Sequence, residues 1–219
     1  LTINHKAAPG LQLLVARKGK VIYNKSFGKH TYEGEEPVKP DDIYDVASLT
    51  KILATLPLMM ELEEKKIVSL DSKLSKLIPE YANSNKKNIT LKEMLSHYAR
   101  LRPWEPFYAK TLDQSKKPSA DYYRRKYSPM YSIKVADEVF LRHDYPDTIQ
   151  KIIMDSDLLP SLKYRYSDFP YYILKKYIEE YYDKPMDELV QDHFYQSLGA
   201  NYMTYNPSSK FSDENIVPT

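Results

Sequence analysis

The chain has 219 residues, with 32 Lys and Arg against 30 Asp and Glu, a net charge of +2 and no cysteine. That near-balance argues against nucleic acid as the main partner, which needs a concentrated basic face. The missing cysteine removes disulfides, Cys-based metal centres and thiol nucleophiles in one step.

No apolar stretch approaches the ~18 residues of a membrane span, the longest being Ile52 to Met60. The sequence opens at Leu1 without a signal-like segment and stops at Val217-Pro218-Thr219, so a processed or truncated piece is expected. Tyrosine is abundant (21) and so is proline (15), yet 42% hydrophobic content argues for a folded chain. Tyrosine buries a ring and keeps a polar tip, which suits cleft walls.

In chain order, Leu11 to Arg17 and Val21 to Phe27 flank Lys18-Gly19-Lys20, which predicts a β-hairpin. Gly28 to Asp42 is polar and reads as a loop. Ser48 to Lys66 is the best helix candidate. Ile52, Leu53, Leu56, Met59, Met60 and Leu62 supply its apolar face, and Pro57 should kink it or lie near a first turn. A short helical piece follows Leu70-Asp71-Ser72.

Thr90 and Glu93 have capping-box spacing before a helix reaching about His97. Asn88-Ile89-Thr90 is also a glycosylation sequon, and the cap is the better reading. Arg100 to Ser132 has no clean period and reads as a long loop of prolines and aromatics. Helices are predicted over 147–154, 169–182 and 185–195.

The five histidines, His5, His30, His97, His143 and His193, include no pair at i, i+3 or i, i+4. Each reads as a surface or hydrogen-bonded residue rather than a metal ligand, and no cofactor is expected. The basic and aromatic run Tyr122 to Tyr127 could stack bases or sugars, but a solvated loop is the plainer reading.

The informative spacing is Ser48-Leu49-Thr50-Lys51. A Ser and a Lys three apart on a helix share a face, and a lysine with a pKa lowered by burial could take the serine proton. The same spacing recurs at Ser26 and Lys29 in a strand, and at Ser84 and Lys87 in a polar run. Only Ser48 opens a strongly apolar helix. The plain alternative, Ser48 as a helix cap and Lys51 as a surface residue, stays open on spacing alone. Tyr166-Ser167-Asp168 could supply a proton carrier, although Tyr-x-Asn/Asp also occurs at Tyr81, Tyr145 and Tyr181, and Asp168 could equally cap a helix with Pro170 in its first turn.

Taken together and in order, these segments resemble the serine β-lactamase and penicillin-binding-protein-like family, closest to its class C and esterase branch. The resemblance rests on Ala8-Pro9-Gly10 with the two strands, Asp45 to Lys51 around the S-x-x-K motif, Leu70 to Glu80, Ile89 to His97, Tyr166 to Asp168, and Leu198-Gly199. It implies an α/β (α+β) fold, with a helical lobe packed on part of an antiparallel sheet. The whole chain would form one incomplete domain, with the hairpin at 11–28 and the helical region at 48–200.

By the same resemblance Ser48 is the acylated nucleophile, with its own N–H serving half the oxyanion hole. Lys51 assists its deprotonation, and Tyr166 carries the proton. Asp168 stands where an Asn commonly orients a substrate amide, which puts β-lactam and peptide specificity in question. His97-Tyr98-Ala99-Arg100-Leu101 replaces the usual H-T-S-G-L, placing Arg100 beside the site. The late K-T-G or H-x-G strand has no counterpart, so these 219 residues alone are expected to be weakly active or inactive.

The implied substrate is a small molecule or cell-wall fragment in a periplasmic or secreted setting, with neither nucleic acid nor a membrane span. Fusion to, or association with, another catalytic domain is a weaker analogy. The rival reading is a non-catalytic module that binds glycan or peptidoglycan through the aromatic loop from Trp104 to Tyr131. A third is a structural piece whose open sheet edge needs a partner.

Overall fold

The computed structural model describes residues 2–218, and their contacts fall into two units, Leu1–Thr50 with Asp187–Thr219, and Lys51–Met186. In the first unit the predicted hairpin forms: β1 (Gly10–Arg17) pairs antiparallel with β2 (Lys20–Gly28). Lys18 and Gly19 between them both have positive φ, 49° and 73°. Positive φ at both central residues belongs to a type I′ turn, whose twist matches that of the strands. Leu13, Leu14, Val21 and Ile22 are all exposed on this two-stranded ribbon.

The polar segment after β2 is anchored rather than loose. His30 Nε2 lies 2.7 Å from Asp42 Oδ2, which also accepts the Lys39 N–H at 2.7 Å, and both side chains are buried. Ile43 then bridges to the end of the chain, donating to the Asn215 carbonyl (2.7 Å) and accepting from the Val217 N–H (2.9 Å).

The single helix expected over 48–66 is instead three successive turns. A 3-10 turn covers Ala47–Leu49, a π turn covers Lys51–Thr55, and α1 covers Leu56–Glu64 with Pro57 in its first turn. Proline has no N–H to donate back along an α-helix, so the turn before it takes another register. This moves the buried stripe to Ala54, Thr55, Leu58, Met59 and Leu62, and leaves Ile52 and Met60 exposed, contrary to the face read from the sequence.

Beyond α1 come α2 (Leu74–Leu77) and α3 (Leu91–Leu95). The capping box opens α3 as predicted. Thr90 Oγ1 accepts the Glu93 N–H (3.2 Å), and Glu93 Oε2 accepts the Thr90 N–H (2.8 Å). Thr90→Ala removes the first of these bonds and is expected to cost about 1 kcal/mol, read as a lower urea midpoint at unchanged slope.

The stretch read as a long loop holds more order than expected: a 3-10 turn at Phe107–Thr111, then a three-stranded antiparallel sheet of β3 (Tyr123–Arg124), β4 (Ile133–Ala136) and β5 (Val139–Leu141), in the order β3-β5-β4. The strands are too short to show a two-residue period. The basic run at Tyr122 to Tyr127 therefore includes a strand, and the Arg124 guanidinium sits 4.4 Å over the Tyr131 ring.

Then follow α4 (Tyr145–Asp155), α5 (Phe169–Tyr182) and α6 (Met186–Val190), the last continuing as a π turn through Gln191–Tyr195. The core of the second unit is built from Leu58 and Leu62 of α1, Leu91 and Met94 of α3, Ile153 of α4, and Phe169, Ile173 and Ile178 of α5.

Lys86, between Ser84 and Lys87 in the polar run, is fully buried. Its amine donates to Asn85 Oδ1 (2.8 Å) and to the carbonyls of Met154 (3.1 Å) and Ser156, at the C-terminal end of α4. The fold is α+β, as expected. No helix among the described residues is long and apolar enough to cross a membrane.

Candidate active site

Tyr166 and Asp168, the candidate site residues of the second unit on the 159–168 stretch, are held where two stretches lie side by side. The Leu159 N–H donates to the Arg100 carbonyl (2.7 Å), the Arg165 N–H to the His97 carbonyl (2.9 Å), and the Asp168 N–H to the Pro103 carbonyl (2.9 Å). Ser167 Oγ adds a bond to the Arg102 carbonyl (2.5 Å). His97 and Arg100 both take left-handed backbone, φ 61° and 57°. Left-handed backbone is uncommon for residues other than glycine, and here it turns the chain after α3 to run beside 159–168. The segment Tyr166-Ser167-Asp168 is therefore fixed before α5 begins.

Asp168 occupies the N-cap position of α5, with Pro170 in the first turn as predicted, but its side chain makes no capping bond. Ser167 Oγ accepts the Phe169 N–H instead, at 3.2 Å. The Asp168 carboxylate is thus released for Lys51, whose Nζ lies 2.7 Å from its Oδ1. Side-chain exposure is 13% for Lys51 and 28% for Asp168, so the pair is largely removed from solvent.

The same amine hydrogen-bonds Tyr166 and lies 5.0 Å above its ring, and 5.3 Å above the ring of Tyr171. Burial opposes the lysine cation. The hydrogen bonds to Asp168 and Tyr166, with their charges, outweigh that and hold the amine above its ordinary value. This corrects the expectation of a lysine lowered by burial: the partner carboxylate reverses the sign.

Ser48 lies in the first unit, exposed, in the 3-10 turn Ala47–Leu49. Val46, not Ser48, holds the N-cap position of that turn. The preceding Ala47 has φ 44°, a left-handed conformation disfavoured for alanine, and its N–H donates to Asp45 Oδ1 (2.7 Å).

Arg100 Nε donates to the Leu159 carbonyl (2.5 Å), and the residue lines a cleft of about 310 Å³ with Asn85, Glu93, Tyr98 and Leu162. Trp104 is more than half exposed.

The structure adds two residues that were given no site role from the sequence. Tyr171 lies three positions beyond Asp168 on α5, so helical spacing from that residue could have found it. His97 lies with its ring centroid 4.6 Å from that of Tyr166 and 5.9 Å from that of Tyr171. Nothing in the local sequence forecasts its left-handed backbone. Burial, then the Lys51 charge, hold the His97 imidazole below its ordinary value, with Asp168 opposing. Among the described residues no group of three or more His, Asp or Glu could hold a metal ion.

A family model described as Beta-lactamase matches residues 2–214. An Escherichia coli K12 protein named "Putative D-alanyl-D-alanine carboxypeptidase" is 27% identical over 96% of this chain and 46% of its own length. Protein flp of Staphylococcus aureus is 21% identical over 95% of this chain and 37% of its own length. The chain spans about half the length, or less, of the curated relatives it matches.

Among solved structures, an octameric penicillin-binding protein homologue from Pyrococcus abyssi superposes with a TM-score of 0.70 at 20% identity, over 99% of this chain and 45% of its own. A class C β-lactamase from Rhodobacter sphaeroides gives a TM-score of 0.63 at 19% identity, over 90% of this chain and 46% of its own. These two likenesses establish the fold.

Proposed function

We propose that this chain, which belongs to the beta-lactamase family, carries the nucleophile and proton-transfer residues of a serine hydrolase acting through an acyl-enzyme on an ester, amide or peptidoglycan-like substrate. The observation that supports this best is the joint arrangement of Lys51, Tyr166 and Asp168: one ammonium group bonded to a carboxylate at 2.7 Å and to a phenol.

The reading follows from the charges. Asp168 keeps Lys51 protonated, so the lysine serves as a fixed cation and not as the resting base. A cation beside a phenol favours the phenolate, and Tyr166 is the group so placed. In the reaction the Ser48 Oγ–H proton passes to Tyr166 Oη while Oγ bonds to the acyl carbon. Tyr166 then returns the proton to the departing alcohol or amine. Water enters by the same route in reverse, cleaving the Ser48 ester.

An ionised Asp168 accepts hydrogen bonds and donates none. A substrate amide would therefore present its N–H to it, not its carbonyl. The D-alanyl-D-alanine carboxypeptidase name of one relative makes a cell-wall peptide the first substrate to try.

The test is covalent labelling of the full-length protein, rather than of these 219 residues alone, with a fluorophosphonate and with a fluorescent penicillin. Labelling in the wild type and none in Ser48→Ala is the expected result. Equal labelling of the two would overturn the assignment of Ser48.

Asp168→Asn removes a negative charge next to Lys51 and Tyr166. A negative charge beside a phenol opposes the phenolate, so the rise of acylation rate with pH is expected to move to lower pH in this variant. A profile that stays in place would show that the carboxylate does not govern the proton carrier.

A further inference from the structure

His97 makes two hydrogen bonds to the stretch around Tyr166, one on each side of that residue. Its carbonyl accepts the Arg165 N–H at 2.9 Å, and its Nδ1 accepts the Ser167 N–H at 3.2 Å. Between these two points its ring packs against the Tyr166 ring at 4.6 Å. A backbone N–H can only donate, so Nδ1 must be unprotonated and the imidazole neutral, with its proton on Nε2.

The left-handed backbone at φ 61° belongs to this arrangement. It brings the residue that ends the turn after α3 back toward 165–167 with both its carbonyl and its ring. A histidine needed only as packing would require neither the strained backbone nor an acceptor nitrogen.

We infer that His97 is a positioning residue for Tyr166: it brackets the tyrosine by hydrogen bonds to residues 165 and 167 and sets the phenol against Lys51, and it does so only while its imidazole is neutral. This rests on the functional reading above and extends it to a residue with no part in that chemistry.

The groups facing the ring are Lys51, Asp168 and the phenols of Tyr164, Tyr166 and Tyr171. Burial first, and then the Lys51 charge, favour the neutral form, while Asp168 opposes. Acid therefore acts on the bracket in one direction. Protonating Nδ1 turns the acceptor into a donor facing the Ser167 N–H, and the bond is lost.

The substitution that isolates this is His97→Asn. Asparagine tolerates left-handed backbone, and its side-chain oxygen can accept the Ser167 N–H, but it does not titrate. His97→Leu keeps the bulk and removes the acceptor. Two readouts in the intact protein decide the matter.

The first is hydrogen exchange at the Ser167 amide. Protection is expected in the wild type near neutral pH, with loss below the ordinary histidine range. It should persist through that range in His97→Asn and be absent in His97→Leu. The second is acylation by the fluorescent penicillin. His97→Leu should lower the maximal rate about 10- to 100-fold, the scale of an ångström-sized misplacement, at similar half-saturation. His97→Asn should restore most of it at neutral pH.

Unchanged Ser167 protection in His97→Leu would overturn the bracket. So would a rate defect that His97→Asn fails to rescue. If the wild type takes no label at Ser48, the hydrolase reading fails, and the exchange measurement still decides whether His97 holds the Tyr166 segment.

Discussion

Ser48→Ala is expected to lower turnover by about a millionfold, Lys51→Met by roughly a thousand- to ten-thousandfold, and the double variant no further than Ser48→Ala alone. The first figure is the scale seen when a serine nucleophile is removed elsewhere, and the second is the upper range for a group that manages one proton. The non-additivity carries the mechanistic content. If Lys51 acts only by preparing Ser48 through Tyr166, its contribution vanishes once there is no hydroxyl to prepare.

Lys51→Met also leaves the Asp168 carboxylate without its cation, at 28% side-chain exposure. An unpaired, part-buried carboxylate next to a phenol opposes the phenolate, so this variant should be worse than loss of the amine alone. Lys51→Met with Asp168→Asn should recover part of the loss. Steady-state rates of the wild type and these four variants on one ester substrate are sufficient. A double variant of Ser48 and Lys51 far below Ser48→Ala would mean that Lys51 acts on something other than the serine.

The second large effect concerns stability. Burial lowers the Lys86 amine to about 8 from an ordinary value near 10.5, while Asp157 and Asp155 oppose that and Arg102 adds to it. With the folded value below the unfolded one, the unfolded chain binds more protons between those limits. Stability therefore rises with pH across that window, from about 8 to about 10.5, and the buried charge is a cost below it.

The whole shift corresponds to roughly 3–4 kcal/mol, of which about 2–3 kcal/mol falls between pH 7.5 and pH 10. Buried tyrosines act in the opposite sense near the top of the window, since Tyr81, Tyr145 and others are raised by burial. The clean measurement is a difference: the urea midpoint of the wild type minus that of Lys86→Met, at pH 7.5 and at pH 10. The difference should move in favour of the wild type by about that latter amount on going to high pH. A difference independent of pH would place the Lys86 proton on the same footing in the folded and unfolded chains.

The sequence was most legible where a local rule has few competitors. Lys18-Gly19 between two β-prone runs admits little besides a hairpin turn. Thr90 and Glu93 at capping spacing specify a helix start, and Phe169 to Tyr182 forms as one helix with the boundaries expected. The Ser48, Lys51 and Tyr166 assignments came from the order of motifs, since each spacing recurs by chance in a chain rich in Ser, Lys and Tyr.

What escaped was set by tertiary partners. Lys86 looks solvated until the end of α4 supplies carbonyls for it. Asp168 reads strongly as a helix cap, a role that does not exclude a site role, and only the fold shows that the Ser167 hydroxyl takes the Phe169 N–H while the Asp168 carboxylate meets Lys51. The sign of the Lys51 shift required knowing that a carboxylate 117 positions away in sequence touches it. The small sheet over Tyr123 to Leu141 was missed because two to four residues per strand are too few for alternation to register.

The π turn over Lys51–Thr55 has a consequence for how this region can change over time. Such a turn amounts to an α-helix with one residue added, and each residue of an α-helix accounts for about 100° of rotation. Deleting any one position between Ile52 and Thr55 would let the chain relax to an α-helix continuous with α1, while swinging Lys51 about a quarter of the way round the axis and away from Asp168. Side chains along the outer side, such as Ile52, can drift in identity with little penalty, whereas the number of residues from Lys51 to Pro57 cannot. Insertions and deletions, rather than substitutions, are the changes this stretch is least able to absorb.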